Sequence, residues 1–264
     1  MAMEIHRLKH PIHGLREFLK EVGIIVLGVL IALGAEQAVE ALHWRHETEA
    51  TEETLRDEIR SSLNFASERI IMFSCDAQRV RELYEQLRGS TRRWQAPAAW
   101  AGSPFIASFP QVLGTPHRPW ATGIWDVAVA DGALAHLPRS EVEAYSGIYR
   151  EVEQLRALEE DVDRIVRALE PLAYDQSLDD AHRFALEGEL AQLDVDERRM
   201  ALVSGQLIEV ARHNGITPER DALASAYAVA HSRHGACVIS PASVMPFAAR
   251  SFSGSVALRA LDSL

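Results

Sequence analysis

Residues Val22 to Ala35 read VGIIVLGVLIALGA, an uncharged stretch near the N-terminus that decides how the rest of the chain is interpreted. As a helix that rises ~1.5 Å per residue, this stretch covers roughly 21 Å, less than the ~30 Å hydrocarbon core of a bilayer. Apolar flanks lengthen it on both sides, so the segment from Leu15 to Leu42 is long enough to cross a membrane. Trp44 follows at the depth of an interfacial aromatic anchor. We therefore predict a transmembrane helix over residues 15–43.

Two other interpretations of this stretch stay open. Ala32-Leu33-Gly34 offers the small residues of a signal-peptidase site, as in a cleaved signal peptide. The run could also be the core helix of a soluble protein. A membrane span is favoured because the helical pattern continues beyond the run without a proline until Pro97.

The distribution of charge predicts an orientation and excludes one class of partner. Four basic residues precede the run and two follow it closely: Arg7, Lys9, Arg16 and Lys20, then Arg45 and Arg56. The positive-inside rule predicts a cytoplasmic arm over residues 1–14 and a periplasmic C-terminal domain, with the anchor in the bacterial inner membrane. The chain has 38 acidic and 27 basic residues and a formal charge of −11. Because phosphate backbones need a basic face, we predict no nucleic-acid partner.

Beyond the anchor, residues of mainly apolar character recur at steps of three and four, the period of an amphipathic helix. They are Leu55, Ile59, Ser62, Ala66, Ile70, Phe73, Ala77, Val80, Tyr84 and Leu87. This pattern predicts that the first helix continues to Gly89-Ser90. The predicted fold class is all-α: an N-terminal transmembrane helix that continues into a bundle of long amphipathic helices.

Further helices are predicted over about 120–130, from Ser140 to Pro171, over about 179–213 and from about 217 to 231. The second of these starts with a capping box, Ser140 with Glu143, and has a coiled-coil-like seam. The bundle domain is predicted over residues 44–233. Residues 234–264, which contain two prolines and many serines, are predicted to be a C-terminal tail without a second membrane span.

Residues 91–119 are predicted to be an irregular loop because, with Pro97, Pro104, Pro110, Pro116 and Pro119, they contain five prolines. Four tryptophans lie in or just after this loop: Trp94, Trp100, Trp120 and Trp125. Aromatic residues in such a segment either pack down as a cap over the bundle, which is the favoured interpretation, or line a surface for a ligand or a partner.

The chain has two cysteines, Cys75 and Cys237. In an oxidising compartment they could form one disulfide between the first long helix and the C-terminal region. The alternative is a pair of buried, inert thiols.

Two blocks of the sequence resemble one known family. Glu17 to Leu33, in which an acid precedes an Ile/Val/Gly/Leu core that ends in Ile-Ala-Leu, resembles the anchor of a family of uncharacterised bacterial single-pass membrane proteins. The second block resembles the Trp…Gly-x-Leu…Tyr…Tyr stretch of that family and comprises Trp125-Asp126, Gly132-Ala133-Leu134, Leu137, Tyr145 and Tyr149. The resemblance extends to about Arg150. It implies an anchored helical envelope protein and brings no activity with it.

Two groups of side chains have the spacing of metal ligands. The first follows the apolar run on one helical face and comprises Glu36, Glu40, His43 and Glu47; the second comprises His231, His234 and Cys237. Glu40-x-x-His43 is half of a di-iron motif, but the sequence supplies no second half, so a solvated or inter-subunit acidic face is favoured. The second group is interpreted as a histidine-rich helix end. We predict no metal, no cofactor and no enzymatic activity, because no catalytic triad order, Gly-rich phosphate loop or nucleophile elbow is present.

Gly28, Ala32 and Ala35 line one side of the predicted membrane helix at spacings of four and three. Small residues in this arrangement permit close helix packing in lipid, although glycine is also simply common in membrane helices. We predict a membrane-anchored scaffold or accessory subunit that binds other membrane subunits or a second copy of itself. The alternative is a periplasmic sensor-like bundle that holds a small ligand and signals through a partner.

Overall fold

The structure is a computed structural model that describes residues 14–90, 92–99, 111–114 and 117–252. Six α-helices form most of this part of the chain: α1 (Gly14–Gly89), α2 (Gly123–Ala130), α3 (Arg139–Leu169), α4 (Asp180–His213), α5 (Arg220–His234) and α6 (Pro241–Phe252). The fold class is all-α, which confirms the prediction. The chain divides between Ala50 and Thr51 into two units.

Helix α1 has 76 residues because no proline or turn signal interrupts it before Gly89. In the first unit, every residue from Gly14 to His43 is exposed. In the second unit, the predicted seam is buried at eight of its ten positions, and Ala77 and Tyr84 are partly buried. The predicted amphipathic pattern is therefore confirmed.

Helices α3 and α4 pack along each other and form the core of the second unit together with α1. The seam of α3 is buried from Tyr145 to Leu169. Helix α4 is antiparallel to this part of α1: near its start, Arg183 Nη1 donates to Ser90 O at 3.2 Å, and after its end Glu219 N donates to Asn64 Oδ1 at 3.1 Å. The apolar faces of three long helices thus meet in one core.

A two-residue ladder attaches the segment after α1 to the connection between α3 and α4. Strand β1 (Arg93–Trp94) pairs antiparallel with β2 (Gln176–Ser177), with Trp94 opposite Gln176. Trp94 is fully buried, and its Nε1 donates to Leu172 O at 2.8 Å. This contact closes one end of the core.

Two predicted helix starts are wrong. Helix α2 begins at Gly123 instead of Trp120, and the Trp120 side chain packs into the core ahead of the helix. Helix α3 begins at Arg139, and the Pro138 carbonyl accepts its first hydrogen bonds. Ser140 therefore lies inside the first turn, and the predicted capping box is not formed.

The predicted tail contains a helix, which corrects the sequence analysis. Helix α6 packs on α4 and buries Val244, Phe247 and Ala248. A glycine in α4 permits this approach: a Cβ on Gly205 would lie 2.5 Å from Ser251 Oγ and 3.3 Å from the Ala248 Cα. Prolines at the first position and in the middle of α6 conceal its helical period in the sequence.

A disulfide joins Cys75 of α1 to Cys237, with an Sγ–Sγ distance of 2.05 Å. Cys237 lies in the short 3-10 turn between α5 and α6. Close to it, Ile239 N donates to Ile71 O at 3.0 Å. The C-terminal helices are therefore attached to α1 by a covalent bond and by a backbone hydrogen bond.

Opening the disulfide is expected to lower the free energy of unfolding by about 2–5 kcal/mol, because it frees a chain segment with a sequence separation of 162 residues. The measurement is thermal unfolding of the wild type and of a Cys75→Ser/Cys237→Ser double variant, each with and without a reductant. The reductant should lower the midpoint of the wild type alone. Equal midpoints for the oxidised wild type and the double variant would contradict this expectation.

Gly205→Ala is expected to destabilise the protein by about 1–3 kcal/mol, because the new methyl group has no room against α6. The matched control is Gly188→Ala in the same helix, where a Cβ would meet nothing within 4 Å. This control should stabilise the protein by up to ~1 kcal/mol, the difference in helix propensity. Chemical denaturation measures both changes, and a Gly205→Ala protein as stable as the control would refute the close approach.

Candidate functional site

The first unit presents an apolar surface along α1. The exposed large hydrophobic residues are Leu15, Phe18, Leu19, Val22, Ile24, Ile25, Val26, Leu27, Val29, Leu30, Ile31, Leu33, Val39 and Leu42. Among the described residues, α1 is the one helix that is long and apolar enough to span a membrane. Exposure of such a surface to water costs about 25 cal/mol per Å². Lipid or protein around α1 would remove that cost.

The predicted packing residues lie on this surface. Gly28, Ala32 and Ala35 are all exposed, and a Cβ on Gly28 would meet nothing within 4 Å. The acidic group of Glu36, Glu40, His43 and Glu47 is exposed as well. Within the described chain, this side of α1 is thus open to a partner.

Two of the four tryptophans are in the core, which agrees with the favoured interpretation of the loop as a cap and not with the alternative of a ligand or partner surface. Trp94 is 0% and Trp120 is 4% exposed, and each indole N–H donates to a buried acceptor, Leu172 O for Trp94 and Glu159 Oε2 for Trp120. Trp100 lies outside the described residues. The described part of the loop therefore packs down onto the bundle at these two residues.

Trp125 in α2 is half-buried and remains at the surface. Its ring stacks on Tyr149 of α3 with centroids 4.9 Å apart and an interplanar angle of 21°. Tyr149 in turn donates its hydroxyl to Glu58 Oε2 at 2.7 Å. Burial and the hydrogen bond to Glu58 raise the pKa of Tyr149, so the hydroxyl stays a donor.

Glu159 of α3 is a buried carboxylate that joins three parts of the second unit. Its Oε1 accepts hydrogen bonds from Arg69 Nη2 and from the Arg118 backbone N, both at 2.7 Å, and its Oε2 accepts from Trp120. The guanidinium of Arg118 forms two hydrogen bonds of 2.6 Å with Glu68. Such charge-assisted and paired contacts are among the strongest in proteins. The group connects α1, α3 and the segment before α2.

Asp76 of α1 and Glu197 of α4 form a second buried acidic pair beside this group, each 5% exposed. Burial raises the pKa of Asp76 well above its usual range, and the charge of Glu197 raises it further. The Arg69 guanidinium opposes this effect, and Glu68 adds to it. Asp76 therefore holds its proton far more tightly than an exposed aspartate does.

Three buried polar atoms near this pair have no hydrogen-bond partner in the described part of the chain: Arg69 Nε, Arg69 Nη1 and Ser204 Oγ. Arg69 lies two helical turns before Asp76 on α1, and Ser204 lies two turns after Glu197 on α4. Because α1 and α4 are antiparallel, Arg69 and Ser204 are displaced from the acidic pair in the same direction along the bundle. Buried polar groups of this kind are normally satisfied by internal water.

A cleft of about 510 Å³ opens beside the disulfide. Arg79, Arg233, His234 and Glu82 contribute its polar side chains. Arg79 donates to two loop carbonyls, Val112 O at 3.0 Å and Ala98 O at 2.8 Å. Burial and the nearby charge of Arg233 lower the pKa of His234, which favours its neutral form. The volume lies within the range of small-molecule sites.

The second group with the spacing of metal ligands, which was interpreted as a histidine-rich helix end, has other contacts in the structure. Cys237 is bonded to Cys75, and His231 stacks on Tyr227 with ring centroids 5.3 Å apart. His234 borders the cleft. Among the residues that the structure describes, no three His, Cys, Asp or Glu side chains form a group that could hold a metal ion.

Helix α2 carries three of the seven large hydrophobic side chains that are exposed in the described part of the second unit: Ile124, Val127 and Val129. Glu58 of α1 holds the start of this helix, because Ile124 N donates to Glu58 Oε1 at 3.1 Å. The exposed apolar residues therefore lie on a helix that is fixed to the bundle.

The sequence analysis did not identify the buried charges. Arg69 and Asp76 are separated by seven residues and lie directly beside seam positions, Ile70 and Ala77. The spacing of seven residues beside an apolar seam is the sequence feature that could have indicated that Arg69 and Asp76 are buried. It is weak, because charged residues on a helix usually face solvent.

Asp76→Asn is expected to change how stability depends on pH. In the wild type, the folded state binds the Asp76 proton more tightly than the unfolded state does. The free energy of unfolding therefore falls as the pH rises from the usual aspartate pKa towards the raised one, by at most about 1.4 kcal/mol per pH unit. The variant lacks this titration, so its stability relative to the wild type should increase with pH.

Unfolding midpoints measured from about pH 4 to about pH 8 test this expectation. The control is Asp161→Asn, which removes an exposed partner of Arg164. The difference between control and wild type should not follow the same trend. A constant difference between Asp76→Asn and wild type across the pH range would show that Asp76 titrates as an ordinary aspartate.

Comparison of the chain with protein-family models, with curated proteins and with solved structures finds no match. The family resemblance of the first 150 residues stays a prediction.

Proposed function

We propose that this chain is a single-pass protein of the bacterial inner membrane whose helical domain acts in the periplasm by binding proteins, as a scaffold or accessory subunit of a membrane complex. The observation that carries the proposal is the apolar, fully exposed part of α1. A surface of this length and composition is stable when lipid surrounds it. The resemblance to the family of anchored bacterial proteins agrees with this role.

Two observations support a periplasmic location of the helical domain. The basic residues before the apolar run outnumber those that follow it closely, as the positive-inside rule requires for a cytoplasmic N-terminus. The disulfide between Cys75 and Cys237 belongs to an oxidising compartment, because the cytosol keeps most thiols reduced.

A role in binding is supported by the use of the polar side chains. Glu159, Arg118 and Trp120 hold segments of the fold together, so their chemistry is already engaged in structural contacts. Exposed apolar residues are instead concentrated on α1 of the first unit, and three of the seven large ones described in the second unit lie on α2. Exposed apolar residues grouped on a soluble domain are typical of contact surfaces.

Gly28→Leu is expected to disrupt the assembly of this protein, because leucine prevents the close helix approach that a small residue permits in lipid. The matched control is Gly23→Leu, which makes the same change five residues earlier, roughly 140° around the helix. A Cβ at either position would meet nothing within 4 Å, so both variants can form the helix. The measurement is extraction of the native protein in a mild detergent, followed by size determination and mass spectrometry of the co-eluting subunits.

A defined larger assembly that Gly28→Leu disrupts and Gly23→Leu leaves intact would support the scaffold role and the contact at Gly28. An assembly that both variants retain would keep the scaffold role and remove this contact. A wild-type protein that elutes as a monomer without other subunits would refute the scaffold role.

The cleft beside the disulfide favours a second candidate, a sensor-like bundle that holds a small ligand. Its volume suits a small molecule, and Arg233 supplies an exposed cation at its edge. The unfolding midpoint of such a protein should rise when its small-molecule ligand is added, because a ligand that binds only the folded state stabilises that state. The rise should be lost in an Arg233→Ala variant.

A further inference from the structure

We propose that helix α2 is the docking surface for a partner protein that presents a basic side chain surrounded by aliphatic ones. This inference rests on the proposed scaffold function and names the surface of the bundle that would carry it. The surface consists of Ile124, Asp126, Val127, Val129 and Ala130, and we call it the α2 surface.

The exposed side of α2 presents one carboxylate and several aliphatic side chains. Successive residues of a helix are rotated by roughly 100°. The order of side chains around the exposed side of α2 is therefore Val129, Asp126, Ala130 and Val127. Val127 is 61% and Val129 is 54% exposed, whereas Ala128 on the opposite side is buried. Asp126 thus lies between two exposed valines. The α2 surface therefore presents one carboxylate among exposed aliphatic side chains.

The carboxylate of Asp126 is available for an ion pair. Its Oδ2 accepts a hydrogen bond from Thr122 Oγ1 at 3.0 Å, which positions the group without neutralising it. Asp126 forms no ion pair with any described residue. A guanidinium or ammonium group of a partner would complete it.

The negative charge around α2 favours a basic partner. Residues 119–138 contain two acids, Asp126 and Asp131, and no lysine or arginine. Glu58 lies at the helix start and already accepts hydrogen bonds from Ile124 N and from the Tyr149 hydroxyl. A second copy that met this surface symmetrically would bring like charges together, and anionic lipid would be repelled. A basic protein segment is the complementary occupant.

The α2 surface is also preorganised. Glu58 fixes the first turn, and the stacking of Trp125 on Tyr149 fixes the inner side of the helix. A partner would therefore not need to order α2 on binding, and the entropic cost of association would be reduced.

A peptide experiment tests the surface directly. The full-length protein is placed in phosphatidylcholine nanodiscs, and the probe is a fluorescent helical peptide with leucine and arginine on one face. Asp126→Asn and Val127→Ser should each weaken its binding by about tenfold. Val229→Ser, which changes another exposed valine, should leave binding unchanged. Equal binding by wild type and the two α2 variants, or equal binding of a peptide with glutamate in place of arginine, would overturn the proposal.

A photo-crosslinking residue at position 127 tests the surface in native membranes. A protein adduct that Asp126→Asn abolishes and that does not form from position 229 supports the proposal. Adducts with lipid alone at position 127 overturn it.

The same variants separate this inference from the proposed function. If Asp126→Asn and Val127→Ser extract with the same subunits as the wild type, the α2 surface is refuted and the scaffold role stands. If the wild type extracts as a monomer, the scaffold role is refuted, and the peptide experiment then decides the α2 surface alone.

Discussion

The buried carboxylate of Glu159 is the contact on which the arrangement of the second unit depends. It accepts hydrogen bonds from Arg69 on α1 and from the backbone of Arg118 and the indole of Trp120 in the segment before α2. Removal of Arg69 would leave the buried Glu159 carboxylate without the guanidinium that pairs with it, which is far more costly than the loss of an exposed pair. The apolar seams pack the helices together, and the hydrogen bonds of Glu159 hold the segment of Arg118 and Trp120 against them.

Helix α1 changes character along its length. The stretch from Val22 to Ala35 carries apolar residues on all sides and is exposed, whereas the part of α1 in the second unit buries its apolar seam, further residues beside it, and the charges of Arg69, Asp76 and Arg79. A helix that is apolar all round suits lipid, and a helix with one apolar stripe suits a bundle in water. The proposed function rests on this change along the helix, because it would connect a membrane anchor to a helical domain that binds partners.

The long helices were predictable, but the contacts between distant segments were not. The seams of α1 and α3 follow from periods of three and four residues, which are visible in any short window. Helix α6 was missed because Pro241 and Pro246 obscure its period, and because its burial depends on Gly205 in another helix. For the candidate sites, the tryptophans were recognised as a group, but burial separated Trp94 and Trp120 from Trp125.

The sequence by itself determined the helical class, the apolar segment of α1 and the extent of the long helices, because hydrophobic period and helix punctuation are local properties of the chain. Tertiary structure decided which polar residues are buried, how Cys75 and Cys237 pair, and which apolar residues of α2 stay exposed. Those outcomes depend on residues far apart in the chain, such as Glu58 with Ile124 and Arg69 with Glu159. No local pattern encodes such contacts, because they form only when the packed helices bring the two segments together.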